Sequence, residues 1–289
     1  MSNTITHSVA TLSEELQLLL GHSSSKQANE IIATLLDVPR FWPTTHAADP
    51  VDDAICEAAC TAVTQLQRGA PFAYAVQRAA FRHLTLHVDE RVLIPRPETE
   101  LLVDLVLSLA PRTTGTIVDI GTGSGAIALA LASEANFSRV IATDISLDAL
   151  TVAQHNASSL AAKGVLRTPV EFRHGSLVTP VKDIHATAIV SNPPYITFEE
   201  RVTLPSSVVD WEPALALFSD NNGMAATAEI VRDAADVLEP EGILALEVDS
   251  QRASLTVAVL AADPRYEGIA VHLDLTQRER FVVARRRPS

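Results

Sequence analysis

The chain has 289 residues and a formal net charge of −13, with 47% hydrophobic, 20% charged and only 4% aromatic residues. That length holds one large domain or two modest ones, with cores built from Ala, Leu, Val and Ile. The acidic balance counts against broad contact with phosphate backbones or anionic membranes, where Lys and Arg supply most of the binding, and suits a basic protein partner.

No apolar run approaches the roughly 20 residues needed to span a bilayer. Nothing resembles a signal peptide. The expectation is a soluble, cytoplasmic protein. The two cysteines, Cys56 and Cys60, have the i, i+4 spacing of a shared helix face, which suits neither a disulfide framework nor a metal site without further ligands.

Residues 1–76 read as a helical domain. "TLSEELQLLLG" places Ser13 before an apolar run and Gly21 as a stop. "SSKQANEIIATLLDVPR" sets Ile31, Ile32, Leu35 and Leu36 on one face and ends at Pro39. "DDAICEAACTAVTQLQRG" starts with acids and closes on Arg68 and Gly69. Three such helices make a small bundle.

At residues 77–95 the period changes. "FRHLTLHV" alternates, and "RVLI" follows the polar pair Asp89–Glu90, which predicts a hairpin turning at those acids and linking two domains. Residues 96–289 form the second domain. "PRPETELLVDLVLSLAP" opens it with a helix: Pro97 lies near the start, Glu98 and Glu100 in the first turn, Pro111 beyond the end.

Short β-rich runs then alternate with helical stretches: "TIVDIG", "RVIATD", "VEFRHG", "TAIVSN" and "ILALEV", with helices over Gly125–Glu134 and Leu147–Lys163 among them. This pattern predicts an α/β fold with a mostly parallel sheet covered on both faces. "GIAVHLDL" and "ERFVVARR" follow each other without a helix, which predicts a terminal antiparallel pair. The closing "RRRPS" reads as a solvated tail.

"VDIGTGSGAIALALA" carries Gly121, Gly123 and Gly125 between a strand and an Ala/Leu-rich helix. Glycines let a ligand approach the main chain, and the free N–H groups of the helix start bind a polar group. Asp144 ends the next strand, where a carboxylate accepts two ribose hydroxyls. Both features suit a dinucleotide as well as S-adenosylmethionine, and an NAD-dependent oxidoreductase stays open on them. Asp119, two residues before Gly121, favours S-adenosylmethionine: it suits the amino group of a methionine and repels a pyrophosphate. No His or Tyr–Lys arrangement for hydride transfer follows the loop.

"AIVSNPPYITF" ends a strand in Asn192, Pro193, Pro194 and Tyr195. The prolines stiffen the turn. Asn192 brings a carbonyl acceptor and Tyr195 a flat face. A planar –NH₂ group would find two rigid acceptors there, the Asn192 side-chain oxygen and the Pro193 carbonyl. Beside bound S-adenosylmethionine, that points to methyl transfer onto nitrogen by positioning, with no metal.

The glycine loop, strand-end Asp and NPPY, in that order, resemble the amino-methyltransferases. "LIPRPETELLVD", "SNPPYI", "WEPALALFSDNNG" and "ERFVVARR" more narrowly resemble the HemK-like release-factor glutamine methyltransferases, over about residues 70–289. NPPY alone is shared with DNA adenine methyltransferases. The resemblance implies a small helical domain that docks the substrate protein, a hairpin linker and a Rossmann-like class I methyltransferase domain. It implies N5-methylation of the glutamine in the Gly-Gly-Gln loop of peptide-chain release factors; a ribosomal protein or, at greater distance, DNA adenine are the alternative substrates. Carried over by position, Gly121, Thr122, Gly123, Ser124 and Gly125 would wrap the methionine part, with Asp119 close by. Asp144 would hold the ribose, Ser176 and Leu177 would flank the adenine, Asn192 would also border the cofactor, and Asn192 to Tyr195 would clamp the glutamine amide. The chain departs from the family at Ser176, often Asp; at Arg82, in place of an aromatic; and in "LEVDSQ", which lacks a glycine.

Overall fold

Ser8, not Ser13, opens the first helix: its hydroxyl accepts from the Thr11 backbone N–H at 3.2 Å. In this computed structural model, which describes residues 7–21, 25–110 and 114–288, α1 runs Val9–Leu20 and stops at Gly21 with φ +88°. Ser13 lies inside α1, and its hydroxyl donates to Asn29 Oδ1 at 2.9 Å. That long-range bond is invisible to a local reading, which takes any Ser before an apolar run as a cap. Helices α2 (Ser25–Leu36) and α3 (Asp53–Gln67) complete a bundle with a core of Leu12, Leu16, Ile31, Ile32, Ala59 and Val63. Cys56 and Cys60 are free thiols on α3, and burial raises the pKa of both. The chain divides into two units. One runs to Arg78 and takes in Ser206–Trp211; the other holds Ala79–Pro205 and the residues from Glu212 onward.

The hairpin forms one turn earlier than its acids suggest. β1 (Arg78–Phe81) pairs with β2 (Leu84–His87) around Arg82 and His83. Arg82 takes a positive φ of 54°. Side-chain bonds hold it there: its N–H donates to Glu100 Oε1 at 2.7 Å, and its guanidinium pairs with Glu134 and Asp104. Asp89 instead accepts from the Arg91 backbone and guanidinium. Those hydrogen bonds hold its carboxyl down at about 2 against the opposing effect of burial. Phe81, Leu84 and Leu86 are buried in the core of the larger unit.

The larger unit continues with α4 (Thr99–Leu109), β3 (Thr116–Ile120), α5 (Ala126–Glu134), β4 (Arg139–Asp144), α6 (Leu147–Ala162), β5 (Val170–His174) and β6 (Ala186–Ser191). It ends with α7 (Ala225–Val237), β7 (Leu238–Glu247), α8 (Ala253–Ala262), β8 (Tyr266–Leu273) and β9 (Glu279–Arg286). Pro111, expected beyond the end of α4, lies outside the described residues. The seven strands β3 to β9 form one sheet in the order β8-β9-β7-β6-β3-β4-β5. β9 runs antiparallel to both β8 and β7, and the other pairs are parallel.

Alternate residues face opposite sides of a strand. Ile117, Val140, Val190, Ile243 and Phe281 therefore pack on one side with α4 and α5. Val118, Ile141, Ile189, Leu244 and Val282 pack on the other with α7 and α8. Burial on both faces explains why these strands read as continuous apolar runs.

The terminal arginines are not a solvated tail. Arg285 and Arg286 belong to β9; their guanidiniums donate to the Leu109 carbonyl at 3.1 Å and the Ala235 carbonyl at 2.7 Å. Both acceptors lie in the last turns of helices, where carbonyls lack intrahelical partners and attract cations. Ser289 lies outside the described residues. Among the described residues no helix is long and apolar enough to cross a membrane.

Candidate active site

The strand order reverses on either side of β3, which makes the crevice beyond the carboxyl ends of β3, β4 and β6 the place where ligands bind in such sheets. Register brings the distant motifs together there. Ile120 pairs with Thr143 on one side and Ser191 on the other, so Gly121, Asp144 and Asn192 each come one residue after this paired row. The Ser191 hydroxyl donates to the Ile120 carbonyl at 2.7 Å and ties the two exits together.

The glycine loop is held by its neighbours. The N–H groups of Gly121 and Thr122 both donate to the Thr143 carbonyl at 2.9 Å. Asp144 Oδ2 accepts from the Gly123 N–H at 2.9 Å, and its Oδ1 accepts from the Ser146 N–H at 2.9 Å. The Ser146 hydroxyl in turn caps α6 through the Ala149 N–H at 3.1 Å. Gly121 and Gly123 take φ of +71° and +56°, and a Cβ at either would meet no protein atom within 4 Å. The main chain is bare towards the crevice at both.

Asp119 is 0% exposed. Its Oδ2 accepts from the Thr122 hydroxyl at 2.6 Å and the Ala128 N–H at 3.1 Å. Its buried Oδ1 has no partner. Burial pushes this carboxyl up to about 7; the two hydrogen bonds oppose the shift and the charge of Asp144 adds to it. Burial also raises Asp144 above the ordinary carboxylate range.

The NPPY turn is pinned from two sides. Asn192 Nδ2 donates to Thr99 Oγ1 at 3.3 Å, and Thr99 Oγ1 donates to Glu247 Oε2 at 2.6 Å. Beyond it, the segment Ala214–Gly223 wraps the chain: the Ile196 N–H donates to the Leu217 carbonyl at 3.1 Å and the Ser219 N–H to the Ile196 carbonyl at 2.8 Å. Glu212 is buried and accepts from the Arg96 guanidinium at 2.6 Å and the Ile94 N–H at 3.4 Å. That ion pair joins "PRPETE" to "WEPALAL". Burial pushes the Tyr195 phenol up to about 12, with the Glu247 charge adding to the shift, so it stays protonated.

Gly223 makes this wrapping possible. With φ +78°, an added Cβ would lie 2.0 Å from the Tyr195 carbonyl oxygen and 2.4 Å from Arg252 Nε. Gly223→Ala is expected to destabilise the protein by about 2–3 kcal/mol, through backbone strain and overpacking. Thermal unfolding checks this, and an unchanged midpoint would contradict the packing described.

A cleft of about 500 Å³ lies at the crevice, a size suited to a small-molecule ligand. Of the residues expected from sequence, Gly121, Gly123, Asp144, Ser176, Leu177, Asn192 and Pro194 line it together. Asp119, Thr122, Ser124, Gly125, Pro193 and Tyr195 are not on its wall. Asp119 and Thr122 support the loop from beneath, and Ser124 is fixed through its carbonyl, which accepts from Asn156 Nδ2 at 2.9 Å. Arg91, Ile145, Ser146, Leu215 and Phe218 also line the cleft. Sequence reasoning did not select these five, nor Thr99, Glu212 and Glu247. Thr99 in "PRPETE", Glu212, Leu215 and Phe218 in "WEPALALFSDNNG" and Glu247 in "LEVDSQ" lie inside segments already singled out, and that membership was the available signal. Among the described residues no group of three or more His, Cys, Asp or Glu is placed to hold a metal ion.

Comparisons with known proteins bear on the fold and the family. Residues 97–206 match the methyltransferase small domain. A release factor glutamine methyltransferase from Moorella thermoacetica is 39% identical over 280 residues, covering 94% of this chain and 91% of the relative. Another, from Enterococcus faecalis, is 37% identical over 224 residues, covering 78% and 79%. A methyltransferase from Pyrococcus furiosus shares the fold at 16% identity, with a TM-score of 0.54 over 72% of this chain and 92% of that one. The fold is that of an S-adenosylmethionine-dependent class I methyltransferase, and the chain belongs to the release factor glutamine methyltransferase family.

Proposed function

We propose that this protein methylates the side-chain amide nitrogen, N5, of the glutamine in the Gly-Gly-Gln loop of peptide-chain release factors. The observation that carries the reading is the placement of Asn192. It lies beside the glycine loop on the wall of one cleft, with its Nδ2 engaged by Thr99. Its Oδ1 is therefore left to accept from a substrate amide.

When bound, S-adenosylmethionine supplies a methyl group on a cationic sulfur that departs as a neutral thioether. The residues fit that group: the main chain is bare at Gly121 and Gly123, and Asp119 Oδ1 is buried without a partner. The loop from Gly121 through Thr122, Gly123 and Ser124 to Gly125 would follow the methionine part. A carboxylate has about four lone-pair sites. Asp144 accepts from the Gly123 and Ser146 N–H groups, with the Ile145 backbone also contributing, and its remaining acceptor capacity would serve the ribose hydroxyls. Ser176 and Leu177 would flank the adenine.

Asn192 Oδ1 and the Pro193 carbonyl would accept both amide hydrogens of the substrate glutamine, with the Tyr195 ring covering its flat face. An amide nitrogen is a weak nucleophile because its lone pair is delocalised. Holding both hydrogens favours pyramidal nitrogen and aims that lone pair, a positioning effect worth roughly 7–11 kcal/mol at best; once methylated, the nitrogen loses one of the two hydrogens as a proton to solvent, which leaves the neutral N-methyl amide. The helical N-terminal unit would dock the substrate protein.

The test is labelled methyl transfer to release factors, ribosomes and DNA offered in separate reactions. Label is expected in the release factor. Label confined to ribosomes or DNA would overturn the substrate assignment.

A further inference from the structure

An amide can turn either its oxygen or its –NH₂ towards a ligand, and the clamp works only with the oxygen presented. Register places the answer next to Asn192. Ser191 pairs with Leu246, so Glu247 follows on the neighbouring strand, and Thr99 sits between the two side chains. Thr99 is 5% exposed and Glu247 2%. The row runs from Asn192 Nδ2 to Thr99 Oγ1 at 3.3 Å and from Thr99 Oγ1 to Glu247 Oε2 at 2.6 Å.

A hydroxyl has one hydrogen to give. An ionised Glu247 only accepts, so the Thr99 hydrogen goes to it. The Thr99 lone pairs then face Asn192, which must answer with –NH₂. We propose that Thr99 and Glu247 are positioning residues for methyl transfer, and that the charge on Glu247 decides which end of the Asn192 amide the substrate meets. This rests on the clamp reading above.

The charged groups acting on Glu247 come from two places: Arg280 belongs to β9, and Arg96 and Glu98 precede α4. The Tyr195 phenol that follows β6 stays neutral. Burial pushes Glu247 up to about 7; the Thr99 hydrogen bond, Arg280 and Arg96 pull it down, and Glu98 pushes it up. Below that value the carboxyl is protonated and donates to Thr99. Thr99 then turns its hydrogen to Asn192, and the amide shows the cleft its –NH₂. A donor then faces the donors of the substrate, so turnover falls as pH falls.

The test uses the full chain, S-adenosylmethionine and a release factor, with Thr99→Val, Thr99→Ser, Glu247→Gln and Asn192→Ala. Thr99→Val should lower kcat about 10²-fold with cofactor affinity unchanged, and Thr99→Ser should recover most of it. Asp119 also titrates near 7, but its effect cancels in the ratio of wild-type to Glu247→Gln kcat/KM. That ratio should fall about tenfold from about pH 8 to about pH 6.

A flat ratio overturns the proposal, as does a wild-type kcat in Thr99→Val. If Thr99→Val does not fold, the ratio decides alone. Asn192→Ala separates the two readings. If it is inactive while Thr99→Val is fully active, the clamp stands and the wiring falls; if it keeps wild-type kcat, the clamp itself is wrong.

Discussion

Asn192→Ala is expected to lower kcat by roughly 10³-fold, the scale of losing one preorganised polar contact to the reacting group. The Asn192 oxygen is one of two acceptors assigned to the substrate amide, and the prolines that follow hold it on a stiff turn. Alanine leaves one amide hydrogen unheld and the lone pair unaimed. The fold should tolerate the change, since one 3.3 Å hydrogen bond to Thr99 is lost and such a bond contributes about 1 kcal/mol. Cofactor affinity, measured by calorimetry with S-adenosylhomocysteine, should change by less than about threefold, or about 0.7 kcal/mol. Unchanged turnover would refute the clamp, and lost cofactor binding would move Asn192 into the cofactor site.

Asp144→Asn should weaken cofactor binding about 10²-fold. Asp144 accepts from Gly123 and Ser146, shaping the loop and the start of α6, and the proposed function gives its remaining acceptor capacity to the ribose. Hydrogen bonds to charged groups contribute about 1.5–3 kcal/mol each, and about 2.7 kcal/mol corresponds to the stated loss. Asparagine has one oxygen and cannot accept on both sides. The variant should therefore raise KM for S-adenosylmethionine as well as the S-adenosylhomocysteine dissociation constant. Wild-type affinity would show that the ribose is held elsewhere.

Local punctuation made most of this site legible. Gly121, Gly123 and Gly125 lie at a strand–helix switch, Asp144 ends the next strand, and Asn192 with its prolines ends another. Each is a short-range signal, and the rule that ligands bind beyond strand ends joins them. The alternation of strands and helices likewise announces the parallel sheet and its antiparallel close.

Features created by long-range pairing were not legible. Thr99 and Glu247 are 148 residues apart and Arg96 and Glu212 are 116 apart; tertiary packing brings each pair together, in the first case that of α4 against β7. The turn at Arg82, the place of Ser13 inside α1 and the docked C-terminal arginines were missed for the same reason, because partners distant in sequence decide each. The glycine loop did not by itself separate a dinucleotide from S-adenosylmethionine, since both present a ribose to a strand-end acid. Family membership does.

The most direct test of the central claim is mass spectrometry of a peptide-chain release factor after incubation with this protein and S-adenosylmethionine. One added methyl, carried by the side chain of the glutamine in the Gly-Gly-Gln loop and absent with Asn192→Ala, is the predicted result. A loop that remains unmodified, or a methyl carried by any other residue, would contradict it.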